Sequence, residues 1–211
     1  MYVLDKGTRF VIPRTEMTYP GHSLKLHQNA ADPVKAPVDH VMADFEDACP
    51  YEFKGEKSRK TMVEALTTLD FGKKVVTVRP NNIHSPFFKG DMEAIMLGAP
   101  NRFHGIMLPK TRGPEEIKQV AKLLDDLEKR GGWKYRVQIE SLIETPHALV
   151  HAYEIATASD RMCGLVERGQ PHRHEPVRQR GLVDDPDRPA IRLEPDGAHG
   201  FAVDFHGIPD L

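Results

Sequence analysis

Short apolar runs alternate with longer amphipathic segments along the first 166 residues of the chain. The apolar runs predict six strands, and the segments between them have apolar positions at helical spacing. The predicted strands are TRFVIP (8–13), HVMADFED (40–47), KKVVTVRPN (73–81), GIMLPK (105–110), YRVQIESLIET (135–145) and RMCGLV (161–166). The predicted helices lie at 21–31, 56–71, 87–99, 113–132 and 146–159.

The helix predicted at 113–132 has the clearest boundaries. Pro114 suits the first turn, Glu115 and Glu116 favour the positive end of the helix dipole, and Lys129-Arg130 before two glycines indicates the end. Strands that alternate with helices through short turns predict a parallel α/β fold. In such folds ligands bind at the carboxyl ends of the strands, where this sequence places the polar clusters DFED, RPN, PK and IET.

Composition excludes several classes of partner. The net charge of -2 and pI near 6.6 give no basic field for nucleic acid or anionic lipid, so we expect neither as a partner. No apolar run is long enough to span a bilayer, and the first apolar run ends at Pro13, unlike a signal peptide. We therefore expect a cytoplasmic protein in which Cys49 and Cys163 are reduced and serve as small apolar side chains.

Glu144 and Arg79 are the candidates for chemistry at the strand ends. A carboxylate at the end of an apolar strand must be paired, hydrogen-bonded or bound to a cation, although Glu144 alternatively caps the helix that begins at Pro146. The planar guanidinium of Arg79 suits a carboxylate or an enolate oxygen, and it alternatively forms an ion pair with Glu46 or Asp47. The two interpretations of Arg79 are compatible.

Several of these segments together resemble the HpcH/HpaI aldolase and citrate lyase β-subunit superfamily, which includes malyl-CoA and citramalyl-CoA lyases. The resemblance covers about residues 8–166 in order. The matching segments are MADFEDACP with Lys57 and Arg59 downstream, VTVRPN, GIMLPK, LIETPHAL and EIATAS. Pro80 departs from the family pattern, which has an aliphatic residue after the arginine.

The resemblance implies a TIM-type (β/α)8 barrel that assembles into trimers or hexamers. It also implies an Mg²⁺-dependent lyase that cleaves a 3-hydroxyacyl-CoA thioester to acetyl-CoA and a 2-oxoacid by retro-Claisen chemistry. In this chain Glu144 matches the metal-binding glutamate, and Arg79 matches the arginine that faces the substrate and the enolate oxygen. Glu46 and Asp47 match the acidic pair that orients the arginine and metal-bound water.

The sequence changes character after Val166. All lysines lie at or before Lys134, while residues 166–211 contain six arginines and many prolines, glycines and histidines. No aspartate that could serve as the family's second metal ligand occurs between Val166 and Asp184. We therefore predict an incomplete barrel of about six β/α units at 1–166 and an irregular tail at 167–211, as a reading-frame shift would produce.

Two further features leave alternatives open. His172, His174 and Glu175 resemble a metal site but lack the helical spacing and a second cluster, so an irregular segment is favoured. A class II pyruvate aldolase of the same superfamily is an alternative enzyme. A non-catalytic alternative is a truncated remnant, or a subunit that works only within a citrate lyase complex.

Overall fold

Six parallel strands in sequential order form the main sheet of the protein. The structure is a computed structural model that describes residues 2–4, 9–11 and 13–167. The strands are β1 Tyr2–Leu4, β2 Arg9–Val11, β3 Glu16–Pro20, β4 His40–Asp44, β5 Val75–Arg79, β6 Gly105–Leu108, β7 Gln138–Ile143 and β8 Met162–Glu167. The helices are α1 Leu24–Ala31, α2 Glu56–Thr68, α3 Phe88–Gly98, α4 Pro114–Gly131, α5 Pro146–Val150 and α6 Ala152–Ala156.

The main sheet has the order β3-β4-β5-β6-β7-β8, and every neighbouring pair is parallel. Helices connect the strands, as a parallel sheet requires. This architecture confirms the predicted α/β class with about six β/α units. The predicted division at residue 166 and the irregular tail depend on residues 168–211, which lie outside the described residues, so both stay predictions.

The first predicted strand is present but does not belong to the main sheet. The segment at 8–13 contributes β2, which pairs antiparallel with β1 in a separate two-stranded sheet, and the main sheet begins with Glu16–Pro20 instead. The pattern missed β3 because Glu16 and Thr18 alternate with Met17 and Tyr19 over only five residues. Strands of a parallel sheet are usually buried on both faces and therefore apolar throughout, and β3 lacks such a continuous apolar run.

The helix predicted at 146–159 is divided into α5 and α6. His151 lies between them with φ -102° and ψ 19°, outside the α-helical region, and this conformation interrupts the helix. Helix α4 confirms its predicted boundaries: Pro114 is its first residue, and Gly132 ends it in the left-handed conformation with φ 66°.

The two faces of the sheet bury different clusters. On one face, alternate strand residues such as Val41, Val78 and Ile106 pack against the helices in the large core. On the other face, Met42, Met107 and Leu142 form a smaller cluster. Burial on both faces explains why strands β4, β5 and β6 are apolar throughout most of their length.

A buried histidine fixes the chain where β3 ends. The carbonyl oxygen of Gly21 can only accept, so Nε2 of His27 donates to it at 2.9 Å, and Nδ1 accepts from the Tyr19 hydroxyl at 2.9 Å. Burial lowers the pKa of His27, while the bond to Gly21 opposes this shift. His27 is therefore neutral in the folded protein at pH 7.

Acidification should destabilise the fold through His27. Its pKa is lower in the folded chain than the ordinary unfolded value of about 6.5, so the unfolded chain binds more protons below that pH. The His27 contribution to the free energy of unfolding is complete above pH 7 and declines below about pH 6.5, with a slope approaching about 1.4 kcal/mol per pH unit. Urea titrations between pH 5 and 8 should show a shallower decline for His27→Gln. An unchanged slope in this variant would assign the acid sensitivity to other groups.

Within the described ranges, no helix combines the length and the apolar character needed to cross a membrane.

Candidate active site

A buried ion pair joins the carboxyl ends of β4 and β5. The strand register places Asp44 beside Arg79. Arg79 donates from Nε to Oδ1 of Asp44 at 2.8 Å and from Nη2 to Oδ2 at 2.5 Å. The side chains of Arg79 and Asp44 are only 4% and 0% exposed. The same carboxylate accepts the backbone N–H groups of Glu46 at 2.7 Å and Ala48 at 2.8 Å. Asp44 therefore positions both the arginine and the loop of residues 45–48 that follows β4, called the acidic loop because it contains Glu46 and Asp47.

Asp44 is the main partner of Arg79. The predicted ion pair of Arg79 with Asp47 is present, 3.9 Å from Nη2, but Asp44 makes two short bonds to the guanidinium, and it was not among the predicted partners. The reason is the register, because a side chain directly opposite on the neighbouring strand lies nearer than one in the following loop. The DFED motif contained the correct residue at its first position.

Lys110 connects the acidic loop to Glu144. It follows β6 with a left-handed backbone, φ 54°. Its Nζ lies 2.5 Å from Oε1 of Glu46 and 3.3 Å from Oδ1 of Asp47, and its backbone N–H donates to Oε2 of Glu144 at 2.8 Å. Contacts to Lys110 thus bring Glu46, Asp47 and Glu144 to one end of the sheet. The sequence pattern places Pro109-Lys110 after β6 but gives no sign of a role for Lys110.

Glu144 does not cap the helix after β7. The cap is Thr145, whose Oγ1 accepts the backbone N–H of Ala148 at 3.1 Å. Oε2 of Glu144 accepts the Lys110 N–H instead, and Oε1 of Glu144 is buried without a hydrogen-bond partner in the described structure. The capping interpretation of Glu144 is therefore wrong, and one of its carboxylate oxygens remains available.

Two carboxylate oxygens of this site suit a cation. Oε1 of Glu144 and Oε2 of Glu46 are both buried without a described hydrogen-bond partner. Mg²⁺ is typically held by one or two carboxylates, with water and substrate oxygens completing its octahedron. In the described part of the chain no three His, Cys, Asp or Glu side chains cluster as metal ligands. Glu144 and Glu46 are therefore candidate ligands, and their carboxylate oxygens are of the type that Mg²⁺ prefers.

Burial and ion pairing set the protonation of this site. Burial raises the pKa of Glu46, while Lys110 opposes this shift. Partial burial acts against ionisation of Asp47 as well, but hydrogen bonds to Glu46 and Lys110 hold the pKa of Asp47 below its usual value. Burial disfavours the charges of Arg79 and Lys110, yet their acidic partners raise the pKa of both groups. Both cations are therefore charged at neutral pH.

A second lysine, Lys54, which the sequence pattern did not indicate, binds the acidic loop. Nζ of Lys54 donates to the carbonyl oxygens of Phe45 at 3.1 Å and Glu46 at 2.7 Å, and to Oδ1 of Asn81 at 2.6 Å. Lys57, which the resemblance singled out, lies 4.0 Å from the centre of the Phe53 ring and is exposed. The two lysines are only three residues apart, and only Lys54 contacts the loop that contains Glu46.

Arg59, the other downstream residue of the resemblance, supports the same loop indirectly. Its Nε donates to Oδ1 of Asp91 at 2.8 Å, and Oδ2 of Asp91 accepts from Nδ2 of Asn81 at 2.7 Å. Asn81 in turn accepts from Lys54. The loop that contains Glu46 is thereby tied to helices α2 and α3 through buried polar bonds.

Lys54→Met should destabilise the protein by about 3 kcal/mol, because it leaves three oxygens without their charged donor. Lys57→Met is the matched control and should change the free energy of unfolding by less than about 1 kcal/mol. Urea denaturation of both variants measures the difference. Equal losses in the two variants would show that the three bonds to Lys54 contribute little.

The remaining sequence candidates are the two cysteines and the HRHE segment. Cys49 is buried and Cys163 half-buried, and neither is in a disulfide. Burial raises the pKa of the Cys49 thiol, which agrees with a small apolar role. His172, His174 and Glu175 lie outside the described residues, so the HRHE segment stays an open question.

The described residues define an α/β protein whose parallel sheet carries an arginine and several carboxylates at the carboxyl ends of its strands. The model of the HpcH/HpaI aldolase/citrate lyase family matches residues 19–167. The chain belongs to this family, which confirms the resemblance.

Curated relatives give the same result. The malyl-CoA/beta-methylmalyl-CoA/citramalyl-CoA lyase of Chloroflexus aurantiacus is 35% identical over 147 residues, which are 70% of this chain and 42% of the relative. The citrate lyase subunit beta of Leuconostoc mesenteroides subsp. cremoris is 33% identical over 153 residues, which are 72% of this chain and 48% of the relative. The chain thus spans about half the length of the curated relatives it matches.

Solved structures confirm the fold. A citrate lyase from Burkholderia xenovorans LB400 superposes with a TM-score of 0.62 at 21% identity and covers 76% of this chain and 50% of its own. A magnesium/glyoxylate complex of Haloferax volcanii malate synthase gives a TM-score of 0.65 at 20% identity and covers 74% of this chain and 51% of its own. Both are of the TIM-barrel type, so the described sheet is part of such a barrel.

Proposed function

We propose that this protein is an Mg²⁺-dependent carbon–carbon lyase acting on a 3-hydroxyacyl-CoA thioester of the malyl-CoA, citramalyl-CoA or citryl-CoA type. The products are acetyl-CoA and a 2-oxoacid. One observation supports the proposal above the others: Lys110 contacts both Glu46, in the loop beside Arg79, and Glu144, so the residues proposed for metal and enolate binding lie at the same end of the sheet. The names of the curated relatives point to the same substrate class.

The reaction breaks one carbon–carbon bond. The 3-hydroxyl group of the substrate loses its proton and becomes the carbonyl of the 2-oxoacid, while the electron pair of the broken bond enters the thioester enolate. Protonation of the enolate carbon then gives acetyl-CoA. Negative charge therefore develops first on the hydroxyl oxygen and then on the enolate oxygen, and groups that stabilise these charges lower the barrier.

Arg79 is suited to the enolate oxygen or to a substrate carboxylate. Asp44 engages Nε and one N–H of Nη2, so among the described hydrogen bonds both N–H groups of Nη1 and the second N–H of Nη2 remain for a substrate. The guanidinium is held before substrate arrives, and little reorganisation is needed. Glu144 and Glu46 would hold the magnesium ion, which when bound polarises the carbonyl of the 2-oxoacid.

Assay of the full chain tests this function. Purified protein is incubated with malyl-CoA, citramalyl-CoA and citryl-CoA, with Mg²⁺ or with EDTA, and acetyl-CoA and the 2-oxoacid are quantified by liquid chromatography. We expect release from at least one thioester that EDTA abolishes. Release of pyruvate from a free hydroxy-oxoacid, with no thioester cleaved, would assign the chain to the class II pyruvate aldolases instead.

A second candidate follows from the Leuconostoc relative. Its name, citrate lyase subunit beta, belongs to one part of a larger enzyme, and this chain is 33% identical to it. As such a subunit the protein would cleave a carrier-bound thioester only after an acyl-carrier partner is added.

Light scattering coupled to gel filtration would show whether the chain forms the trimer or hexamer that the resemblance implies.

A further inference from the structure

Charge balance distinguishes this site from a simple metal-binding cluster. Four carboxylates, those of Asp44, Glu46, Asp47 and Glu144, lie in one connected network with two cations, Arg79 and Lys110. When all are ionised, these groups carry an excess of two negative charges, and the neighbouring Lys54 ammonium, 2.7 Å from the carbonyl oxygen of Glu46, reduces the excess to one. A divalent cation would offset this remaining charge. The substrate, however, is itself an anion, and excess negative charge would repel it.

Lys110 differs from Arg79 in what it neutralises. Arg79 is matched by Asp44, a buried pair with no net charge. Lys110 is 45% exposed and faces the remaining acids: its ammonium contacts Glu46 and Asp47, and its backbone N–H contacts Glu144. The two oxygens available to a cation, Oε2 of Glu46 and Oε1 of Glu144, therefore belong to carboxylates that Lys110 already binds through their other oxygens.

The backbone of Lys110 is also constrained. A φ of 54° is uncommon for a residue with a side chain. This conformation accompanies an arrangement in which the N–H reaches Glu144 while the side chain reaches Glu46. Glycine adopts such a φ without steric cost, whereas glutamine and arginine meet the same constraint as lysine. Substitutions at this position can thus separate backbone strain from charge.

We propose that Lys110 is a built-in counter-ion that weakens the binding of free Mg²⁺ and favours the anionic substrate. Its positive charge offsets part of the charge on Glu46 and Asp47, so the metal site is completed only when the substrate contributes its own oxygens. This inference rests on the proposed function for the identity of the metal and the substrate. Its physical basis is Coulombic, because a cation beside a metal site repels the metal and attracts an anion.

Three variants of the full chain test this role. Lys110→Gln and Lys110→Gly remove the charge, and Lys110→Arg retains it. Isothermal titration calorimetry with Mg²⁺ alone should show about tenfold tighter binding for Lys110→Gln and Lys110→Gly than for the wild type. Lys110→Arg should remain within about threefold of the wild type. The KM for the hydroxyacyl-CoA should rise about tenfold in the two neutral variants.

The opposite directions of these two effects are diagnostic. A residue with only a structural role would weaken metal and substrate binding together, and that result for Lys110→Gln and Lys110→Gly would overturn the proposal. Lys110→Gly guards against misfolding because it relaxes the left-handed backbone. Unchanged Mg²⁺ affinity in both neutral variants would also overturn it.

Failure of the two proposals can be distinguished. Tighter Mg²⁺ binding by the neutral variants, with no thioester cleaved by the wild type, supports the counter-ion role and refutes the lyase function. Thioester cleavage by the wild type, with weaker Mg²⁺ binding by the variants, supports the function and refutes the counter-ion role. Absence of Mg²⁺ binding in the wild type and in all three variants refutes the counter-ion role, and the thioester assay with Mg²⁺ or EDTA then decides the lyase function separately.

Discussion

Replacement of Asp44 by alanine is expected to lower the free energy of unfolding by about 3–5 kcal/mol. The substitution leaves the Arg79 guanidinium, which is 4% exposed, without its two-bond partner in a region that water reaches poorly. An uncompensated buried charge is the dominant cost. The backbone N–H groups of Glu46 and Ala48 also lose their acceptor, so the acidic loop should loosen at the same time.

The exposed pair of Arg14 and Asp39 provides a matched control. Arg14 donates from Nε and Nη2 to Asp39 at 2.9 and 3.1 Å, in the same two-bond geometry as the buried pair. The Arg14 side chain is 85% exposed, so water replaces the lost carboxylate. Asp39→Ala should therefore lower the free energy of unfolding far less than Asp44→Ala does. Urea denaturation at pH 7 measures both variants, and similar losses would contradict the importance of burial.

Replacement of Glu144 by glutamine is expected to lower kcat about 10³-fold, with the stability almost unchanged. Glutamine is isosteric, and its carbonyl oxygen can still accept the Lys110 N–H, so the fold and the position of the side chain are retained. The lost negative charge weakens the hold on the cation that the proposed reaction needs. A metal contributes several kcal/mol to charge stabilisation in such reactions, and each 1.4 kcal/mol corresponds to a tenfold change in rate.

Calorimetry gives a second readout for Glu144→Gln, namely weaker binding of Mg²⁺. Glu115→Gln, a change of the same kind at an exposed position on α4, is the control and should alter neither kcat nor metal affinity. Full Mg²⁺ affinity in Glu144→Gln would exclude Glu144 as a metal ligand, whatever the effect on turnover.

Local pattern was sufficient for most of the fold. The apolar runs of β4 to β8 and the capped, amphipathic α4 were predicted from the sequence and are present in the structure. The register of side chains across strands was not predicted. Asp44 and Arg79 are 35 residues apart, and only the parallel pairing of β4 with β5 makes them direct neighbours.

What the sequence by itself determined was the α/β class, the family, and the presence of Arg79, Glu46, Asp47 and Glu144 at strand ends. These follow from periodicity and from motifs a few residues long, which depend on local chemistry alone. The tertiary structure alone decided that Asp44 holds Arg79, that Thr145 and not Glu144 caps α5, and that Lys54 rather than Lys57 enters the site. It also placed Lys110 between Glu46 and Glu144, residues separated by nearly 100 positions. Such partners are selected by distance and burial in the folded chain, and no local pattern in the sequence encodes either.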